Sequence, residues 1–374
     1  MRCGRRLLNA TRVSLDSSLA LCTAAFVLLV AAVALPQLIV THFGTERHGA
    51  LITGSAALFK DGFPSLAALV FIFSIALPLV YLGLMTAVLV GVRTRATIPR
   101  GIVLRLAERL RPWLMMDVYL MGCGIAYKRL IAVGAVTLGE GAGCLILGTI
   151  ILFLFVATLD TRAAWTRVPR RSAAPVGTLG VNCELCELNI DDAAEHSSCP
   201  RCGHTLTRRK PAAFARTAAL VIAGAILYIP AIMLPVLSIE QFGHHQRSTI
   251  LSGVGQLITA GLVPLAVIVF TASIVVPLLK LASLTLMLVM TYRRSRRWLV
   301  GRTRLYRAVD RIGRWSNIDI FTIAVLAALV QFGTLATVRP EPGAVAFAAV
   351  VVITMLASRS FDSRLMWDAA EGQP

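Results

Sequence analysis

The sequence is short of charged residues, which occupy only 15% of its 374 positions. A soluble domain carries charge on roughly a quarter of its residues, so this composition excludes an ordinary water-soluble globular protein. Hydrophobic residues make up 57% of the chain, and its mean hydropathy is +0.75. We therefore expect a membrane protein.

Acidic residues are the scarcer charge, because 19 Asp and Glu stand against 37 Lys and Arg. A nucleic-acid partner is excluded by where the basic residues lie: they crowd residues 93–112, 161–211 and 292–314 and nearly avoid 41–63 and 238–262. Basic residues kept on one side of the membrane mark the cytoplasmic side. We expect a multi-pass protein of the bacterial inner membrane with both termini and the central segment in the cytoplasm. The excess positive charge suits anionic lipid headgroups.

Histidine is missing from the interior of every apolar stretch, which disfavours haem ligation within the membrane. The sequence also has no Walker A lysine loop, HExxH, GxSxG or dinucleotide-binding fingerprint. The absence of these motifs argues against an enzyme.

Long apolar runs are abundant, and about eight of them are predicted to cross the membrane as helices. Crossing ~30 Å of hydrocarbon takes about 20 helical residues. The fourth and eighth runs are short and need their flanking residues to cross. The runs are Leu19–Val40, Pro64–Val92, Trp113–Val133, Gly143–Thr158, Phe214–Leu237, Val263–Met290, Ile318–Val338 and Ala344–Ala357.

The chain repeats itself, first at an offset of 199 residues and then at 202. At the first offset Pro36 matches Pro235 and Pro78 matches Pro277; at the second, Trp113 matches Trp315 and Gly141 matches Gly343. Four predicted helices in each half give both halves the same orientation, as in transporters built from parallel repeats. The predicted fold is an all-α polytopic membrane protein of two parallel four-helix repeats.

The domain boundaries follow from the repeat. Residues 18–165 and 213–368 are predicted to be the two four-helix repeats, and 166–212 a cytoplasmic linker that contains a four-cysteine ribbon at 183–204. Residues 1–17 form a cytoplasmic N-terminus and 369–374 a short tail. Arg2-Cys3-Gly4 matches Arg201-Cys202-Gly203, so the N-terminus is expected to be the remnant of a first ribbon.

The central segment contains two CxxC pairs separated by twelve residues, with ligands Cys183, Cys186, Cys199 and Cys202. This spacing predicts a tetrahedral four-thiolate ribbon holding one metal ion per chain, which we expect to be zinc, with iron as the alternative. Two disulfides are disfavoured, because a cytoplasmic location keeps thiols reduced. His196 and His204 are expected to be solvent-exposed, and Cys22, Cys123 and Cys144 to pack as small hydrophobes.

Ionisable residues within apolar runs are costly and are candidate functional residues. Lys280 lies midway along the sixth run, too deep to reach the interface, and is predicted to face a polar cavity. The other candidates for a substrate pathway are Lys128 and Arg129, which could instead snorkel to the outer interface, and Asp117 and Asp319, which could instead cap helix N-termini. Two mid-span prolines are predicted to kink their helices: Pro78 and Pro277.

The sequence resembles the paraquat-inducible protein A family (PqiA/LetA). The resemblance lies in the paired repeats, the ribbon before the second repeat, and four stretches of the second half. These stretches are Arg314–Phe321, Gln331–Leu335, Pro342–Ala344 and Ser360–Asp368. Members normally carry a ribbon before each repeat, and this sequence lacks most of the first.

The resemblance implies an inner-membrane component of an envelope lipid-transport system. Its implied partner is a periplasmic protein with mammalian-cell-entry (MCE) domains, and its implied cargo is phospholipid. Two alternatives stay open from the residues alone: a redox protein using an iron–tetrathiolate site, and a structural membrane anchor for a periplasmic complex.

Overall fold

A computed structural model describes residues 14–42, 45–94, 100–131, 135–168, 181–190, 197–207, 209–241, 244–312, 317–330 and 337–371. Sixteen α-helices and eight strands are assigned within these ranges. The helices of the first half are α1 Leu15–Ala34, α2 Leu51–Lys60, α3 Pro64–Phe71, α4 Leu77–Thr94, α5 Arg100–Leu110, α6 Met116–Leu130, α7 Glu140–Thr158 and α8 Thr161–Thr166.

The second half repeats this succession of elements. Its helices are α9 Ala213–Met233, α10 Ile250–Thr259, α11 Val263–Phe270, α12 Val276–Tyr292, α13 Leu299–Ile312, α14 Ile318–Leu329, α15 Pro342–Ser360 and α16 Leu365–Glu371. Several elements begin and end 199 positions after their counterparts, as α10 does after α2 and α11 after α3.

Six helices among the described residues are long and apolar enough to cross a membrane. They are Leu15–Ala34, Pro64–Thr94, Glu140–Thr158, Ala213–Met233, Val263–Tyr292 and Pro342–Ser360. Ile222, Ile226 and Ile229 of α9 are each at least 60% exposed. Exposed apolar side chains in such a row are typical of a lipid-facing surface.

The fourth and eighth runs extend into their flanking residues, as expected, and form the 19-residue helices α7 and α15. The third and seventh runs form shorter helices than expected, because α6 has 15 residues and α14 has 12. These two helices pack against each other at the boundary between the halves, where the Cβ of Phe321 lies 3.0 Å from the position that a Cβ on Gly122 would occupy. Nearly all described side chains of helix α14 are buried against protein. Hydropathy alone does not distinguish an apolar helix that is buried in protein from one that is exposed to lipid.

The expectation of an all-α fold is wrong in one respect, because the segments between spans form two small antiparallel sheets. The first sheet consists of β1 Leu38–His42, β2 Thr45–Gly49 and β3 Ala135–Leu138, in the order β2-β1-β3. A separate pair of strands, β4 Val181–Asn182 and β5 Asn189–Ile190, lies in the ribbon. The second sheet consists of β6 Leu237–Gln241, β7 His244–Ser248 and β8 Thr337–Pro340, in the order β7-β6-β8. Strands of four or five residues between spans carry too little alternation to be recognised in sequence.

The repeated Gly and Pro residues secure the junction between sheet and helix. The N–H of Gly141 donates to the carbonyl of Pro36 over 2.9 Å, and the N–H of Gly343 donates to Pro235 over the same distance. A Cβ at either glycine would lie 2.4 Å from a backbone oxygen. Only glycine fits this approach, which explains why the sequence repeats it in both halves.

Candidate functional sites: a four-cysteine centre and buried charges

The four cysteines of the ribbon converge on one point. Their sulfur atoms all lie within 4.8 Å of one another and all four residues are buried. Cys183 Sγ lies 3.6 Å from Cys202 Sγ, and Cys186 Sγ lies 3.5 Å from Cys199 Sγ. Tetrahedral coordination with metal–sulfur bonds of about 2.3 Å separates the sulfurs by roughly 3.8 Å. The cluster therefore fits a single four-coordinate metal ion.

Each CxxC pair is shaped by the same turn. The N–H of Glu187 donates to the carbonyl of Cys183 over 3.0 Å, and the N–H of Gly203 donates to Cys199 over 2.8 Å. Glu187 and Gly203 hold φ angles of 54° and 69°, in the left-handed region that favours glycine. In the second turn this position is occupied by Gly203, which suits the left-handed conformation, as the sequence indicates. In the first turn it is occupied by Glu187, whose Cβ makes the same conformation sterically unfavourable.

His204 is partly buried and lies beside the cluster without joining it. Its Nδ1 is 3.3 Å from Nη2 of Arg109. Burial and the charge of Arg109 lower the pKa of His204, which favours the neutral ring that can accept from a guanidinium. This contact replaces the solvent-exposed position expected from the sequence. His196 lies outside the described residues.

The second CxxC turn rests on helix α5 of the first half. Arg105 Nη1 donates to the carbonyls of Cys202 and Gly203 over 3.3 and 3.2 Å. A Cβ on Gly101 would lie 3.1 Å from the carbonyl oxygen of Arg201. Although the ribbon leads along the chain into the second half, its second turn packs against the first.

The first CxxC turn makes ion pairs with both halves. Arg162 pairs with Glu187, and Arg364 pairs with Glu184. The two arginines are 202 residues apart and occupy equivalent positions of the repeat. Burial raises the pKa of Asp362, but hydrogen bonds from Arg364 outweigh it and hold that pKa below its ordinary value. The ribbon thus bridges the halves through matched arginines.

Lys280 lies in the second turn of α12, near the middle of the membrane-crossing helix Val263–Tyr292. It is 1% exposed, so its side chain is packed inside the second half. Further polar side chains are buried on α9, α12, α15 and the turn before α12, namely Thr217, Ser273, Ser283, Thr354 and Ser358. The residues of the first half that correspond to Lys280, Ser283, Thr354 and Ser358 are Tyr81, Leu84, Leu152 and Val156. The interior of the second half is therefore the more polar of the two.

The remaining sequence candidates are scattered. Asp117 is partly buried in the first turn of α6, and Asp319 is the second residue of α14, where its side chain lies outside the described part. In the last turn of α6, Lys128 is exposed and Arg129 is partly buried.

Arg129 lines a partly enclosed cavity whose other walls come mainly from the second half. Polar groups reach it from Ser248, Thr249 and Gln256, and Gln256 Nε2 donates to Ser248 Oγ over 3.3 Å. Its apolar walls are Val236, Leu237, Ile239, Ile250, Val269, Ile323, Ala344 and Phe347. Arg129 is a candidate from the sequence, and the other lining residues were missed. The available signal was Gln256, the longest polar side chain of helix α10.

Both mid-span prolines follow a π-helical turn, which covers Ile72–Ala76 before Pro78 and Thr271–Val275 before Pro277. Leu77 N–H donates to Ile72 O, five residues back, and Val276 N–H likewise donates to Thr271 O. The wider turn accommodates a residue that has no N–H and whose ring would collide with the preceding helical turn.

Comparison with known proteins gives one family and several relatives. A family model described as "Paraquat-inducible protein A" matches residues 15–169 and 214–371. The chain is 30% identical to "Intermembrane transport protein PqiA" of Escherichia coli K12, over 98% of the chain and 89% of the relative. It is also 30% identical to "Lipophilic envelope-spanning tunnel protein A" of the same strain, over 90% of the chain and 78% of the relative.

A third relative is "Probable intermembrane transport protein" of Haemophilus influenzae, 26% identical over 98% of the chain and 89% of the relative. No solved structure matches the chain. The names of these relatives are those of transport proteins. With the six apolar helices, they indicate a multi-pass inner-membrane protein of envelope lipid transport.

Proposed function

The chain belongs to the paraquat-inducible protein A family, and from this membership we propose that it passes phospholipid between the inner membrane and a periplasmic MCE-type partner. The names of two relatives describe intermembrane transport and an envelope-spanning tunnel, and both fit a protein that loads or unloads lipid at one end of a conduit. The repeats would form the membrane unit and the ribbon a zinc-bound cytoplasmic module.

The observation that best supports this proposal is the cavity at Arg129. A guanidinium matches the geometry of a phosphodiester with two parallel hydrogen bonds, and the apolar walls suit the beginning of the acyl chains. Binding sites with an apolar lining and a few placed polar groups are the usual form of a small-ligand pocket. The cavity lies beside strands β6 and β7, on the side of the molecule away from the ribbon.

Arg129→Gln is expected to weaken phospholipid binding to the purified protein roughly tenfold, because a hydrogen bond to a charged group contributes about 1.5–3 kcal/mol. Native mass spectrometry of detergent-purified protein titrated with phosphatidylglycerol measures the effect. Lys128→Gln is the matched control, since it removes the same charge from the neighbouring exposed position. Equal losses in both variants, or no loss in Arg129→Gln, would contradict the assignment of the cavity.

The proposed orientation places the ribbon and both termini in the cytoplasm and the two small sheets in the periplasm. The support is the arginine-rich composition of residues 93–112 and 292–314, against the few basic residues of 41–63 and 238–262. Arg105, within the first of these arginine-rich stretches, contacts the ribbon directly.

Single cysteines placed at exposed positions test this orientation in intact cells. A membrane-impermeant maleimide is expected to label Gln246→Cys and Arg339→Cys and to leave Thr205→Cys and Arg304→Cys unlabelled until the cells are opened; all four positions are exposed. Permeabilised cells provide the control for reactivity. Labelling at Thr205 in intact cells would reverse the orientation.

A further inference from the structure

The turn between α12 and α13 has a composition found nowhere else in the described chain. Tyr292, the last residue of a membrane-crossing helix, is 80% exposed, and Trp298 is 62% exposed. Four exposed arginines lie between them: Arg293, Arg294, Arg296 and Arg297. No acidic residue occurs from Val263 to Val309, so nothing along this part of the chain offsets the charge.

A fifth arginine is buried beneath this turn. Arg302, in the first turns of α13, is 0% exposed. Its Nη2 donates to the carbonyl of Ser295 over 2.7 Å, so the guanidinium is tucked under the turn. Its Nε and Nη1 are buried and have no hydrogen-bond partner among the described residues. A guanidinium stays protonated in proteins, so Arg302 is a buried cation with two unused donors.

The rule that places basic residues in the cytoplasm explains the exposed arginines but not the buried one. Burial lowers the pKa of Arg302, which means that its surroundings disfavour the charge that it carries. Removing a charge from water is costly unless an opposite charge and hydrogen bonds compensate for it. Within the described part of the chain these two donors are unsatisfied, so the turn can take an anion with at least two acceptor oxygens.

We propose that this turn, residues 292–302, binds the phosphate of an anionic membrane phospholipid. Arg302 supplies two donors to the phosphate oxygens when the turn opens, and the exposed arginines supply the surrounding positive potential. Tyr292 and Trp298 lie where amphipathic aromatic rings concentrate at membrane interfaces. A phospholipid is favoured over a soluble anion because the site begins at the last residue of a membrane-crossing helix.

Opening the turn is aided by its backbone. Arg294 and Trp298 hold φ angles of 48° and 56°, which are unfavourable for residues with a Cβ. Arg296 Nε of the turn donates to the carbonyl of Ala370 on α16, and no residue of the turn lines the Arg129 cavity. This second lipid site is therefore tested independently of the proposed transport pathway.

The test uses the full-length protein in nanodiscs and native mass spectrometry with phosphatidylglycerol or phosphatidylcholine. The parent protein is expected to prefer phosphatidylglycerol, and Arg302→Gln to lose about tenfold in that binding, as expected for removing charged hydrogen bonds. Arg304→Gln is the matched control, because it removes an exposed arginine from the same helix and should change binding less than about twofold.

Arg302→Gln could also disturb folding, because the residue is buried. The double variant Arg296→Gln/Arg297→Gln changes only exposed side chains. It is expected to weaken phosphatidylglycerol binding and to make the remaining binding less dependent on salt concentration. Unchanged phosphatidylglycerol binding in the double variant and in folded Arg302→Gln would overturn the site. Displacement of the lipid by millimolar inorganic phosphate would overturn the choice of a phospholipid as its ligand.

Discussion

Replacing Cys199 by serine is expected to abolish metal binding and to unfold the ribbon. The four sulfur atoms meet around a point that one ion can occupy. In the described part of the ribbon, only one pair of two-residue strands and the bridge between Ser198 and Thr205 would hold it without metal. Structural zinc contributes about 10–16 kcal/mol to the folding of such modules, far more than so small a core can supply. Elemental analysis of the parent protein should give about one zinc per chain, and Cys199→Ser close to none.

Cys144→Ser is the matched control, since Cys144 is a free cysteine on α7 outside the cluster. It should retain the metal in full. Visible absorption distinguishes the two metals, because iron–tetrathiolate centres are coloured and zinc centres are not. Stoichiometric iron would favour the redox alternative over lipid transport, and full metal retention in Cys199→Ser would show that these cysteines are not the ligands.

Loss of the metal should also loosen the contact between the halves. Arg105 binds carbonyls of the second CxxC turn, and the equivalent arginines Arg162 and Arg364 bind glutamates of the first. Exposed ion pairs of this kind each contribute at most about 1 kcal/mol. Their joint effect depends on a ribbon that presents both turns rigidly, and four metal–thiolate bonds would provide that rigidity.

The convergence of the four cysteines could be predicted from sequence, because a CxxC pair constrains its own geometry. Two residues between cysteines bring both sulfurs to one side of a tight turn, and Gly203 already marks the left-handed position. The docking of the ribbon could not be predicted. Arg105 and Arg109 look like ordinary members of a basic loop, and only the fold turns them towards Cys202 and His204.

The membrane helices were predictable to the extent that hydropathy reflects their surroundings. Long runs such as Pro64–Thr94 satisfy both length and composition. Helices α6 and α14 show the limit of hydropathy as a criterion, because an apolar helix enclosed by protein has the same sequence pattern as one enclosed by lipid. The cavity at Arg129 was beyond sequence reasoning for a similar reason: its walls come from α6, α10, α11, α14, α15 and the second sheet, which are far apart along the chain.

Lys280 is the residue of the membrane interior for which we expect the largest functional effect. It lies about 12 residues, or roughly 18 Å, from the end of its helix at Tyr292. A lysine at the centre of a membrane helix costs about 2.5–3.5 kcal/mol on insertion scales, so a purely structural lysine would be an expensive choice. The equivalent residue of the first half, Tyr81, is neutral.

The buried polar residues of the second half support a role for this charge. A Cβ on Gly224 of α9 would lie 3.3 Å from the side chain of Leu281 on α12 and 3.5 Å from the side chain of Thr354 on α15. Helices α9, α12 and α15 therefore meet next to Lys280. Ser283 Oγ donates to the carbonyl of Lys280 over 3.0 Å. We infer that an anionic headgroup passing through the second half interacts with this polar cluster.

Lys280→Met is expected to reduce co-purified phospholipid about tenfold and to impair envelope defence in cells, while leaving the protein folded and its metal bound. Methionine keeps the volume and removes the charge, so the packing of a side chain that is 1% exposed should survive. Lys280→Arg should be milder, because it keeps the charge that a mobile headgroup needs. Bound lipid is measured by mass spectrometry of the purified protein, and envelope defence by resistance to detergent.

Tyr81→Phe provides the control within the same molecule. It changes the equivalent position of the first half, where the hydroxyl of a fully buried tyrosine has no hydrogen-bond partner in the described part of the chain. Removal of this hydroxyl should therefore affect neither stability nor lipid binding. Parental levels of lipid and envelope defence in Lys280→Met would make Lys280 a structural residue. An equal loss in Tyr81→Phe would instead show that the interior of either half tolerates no change. The headgroup contact is assigned to the second half only if bound phospholipid is lost in Lys280→Met and retained in Tyr81→Phe.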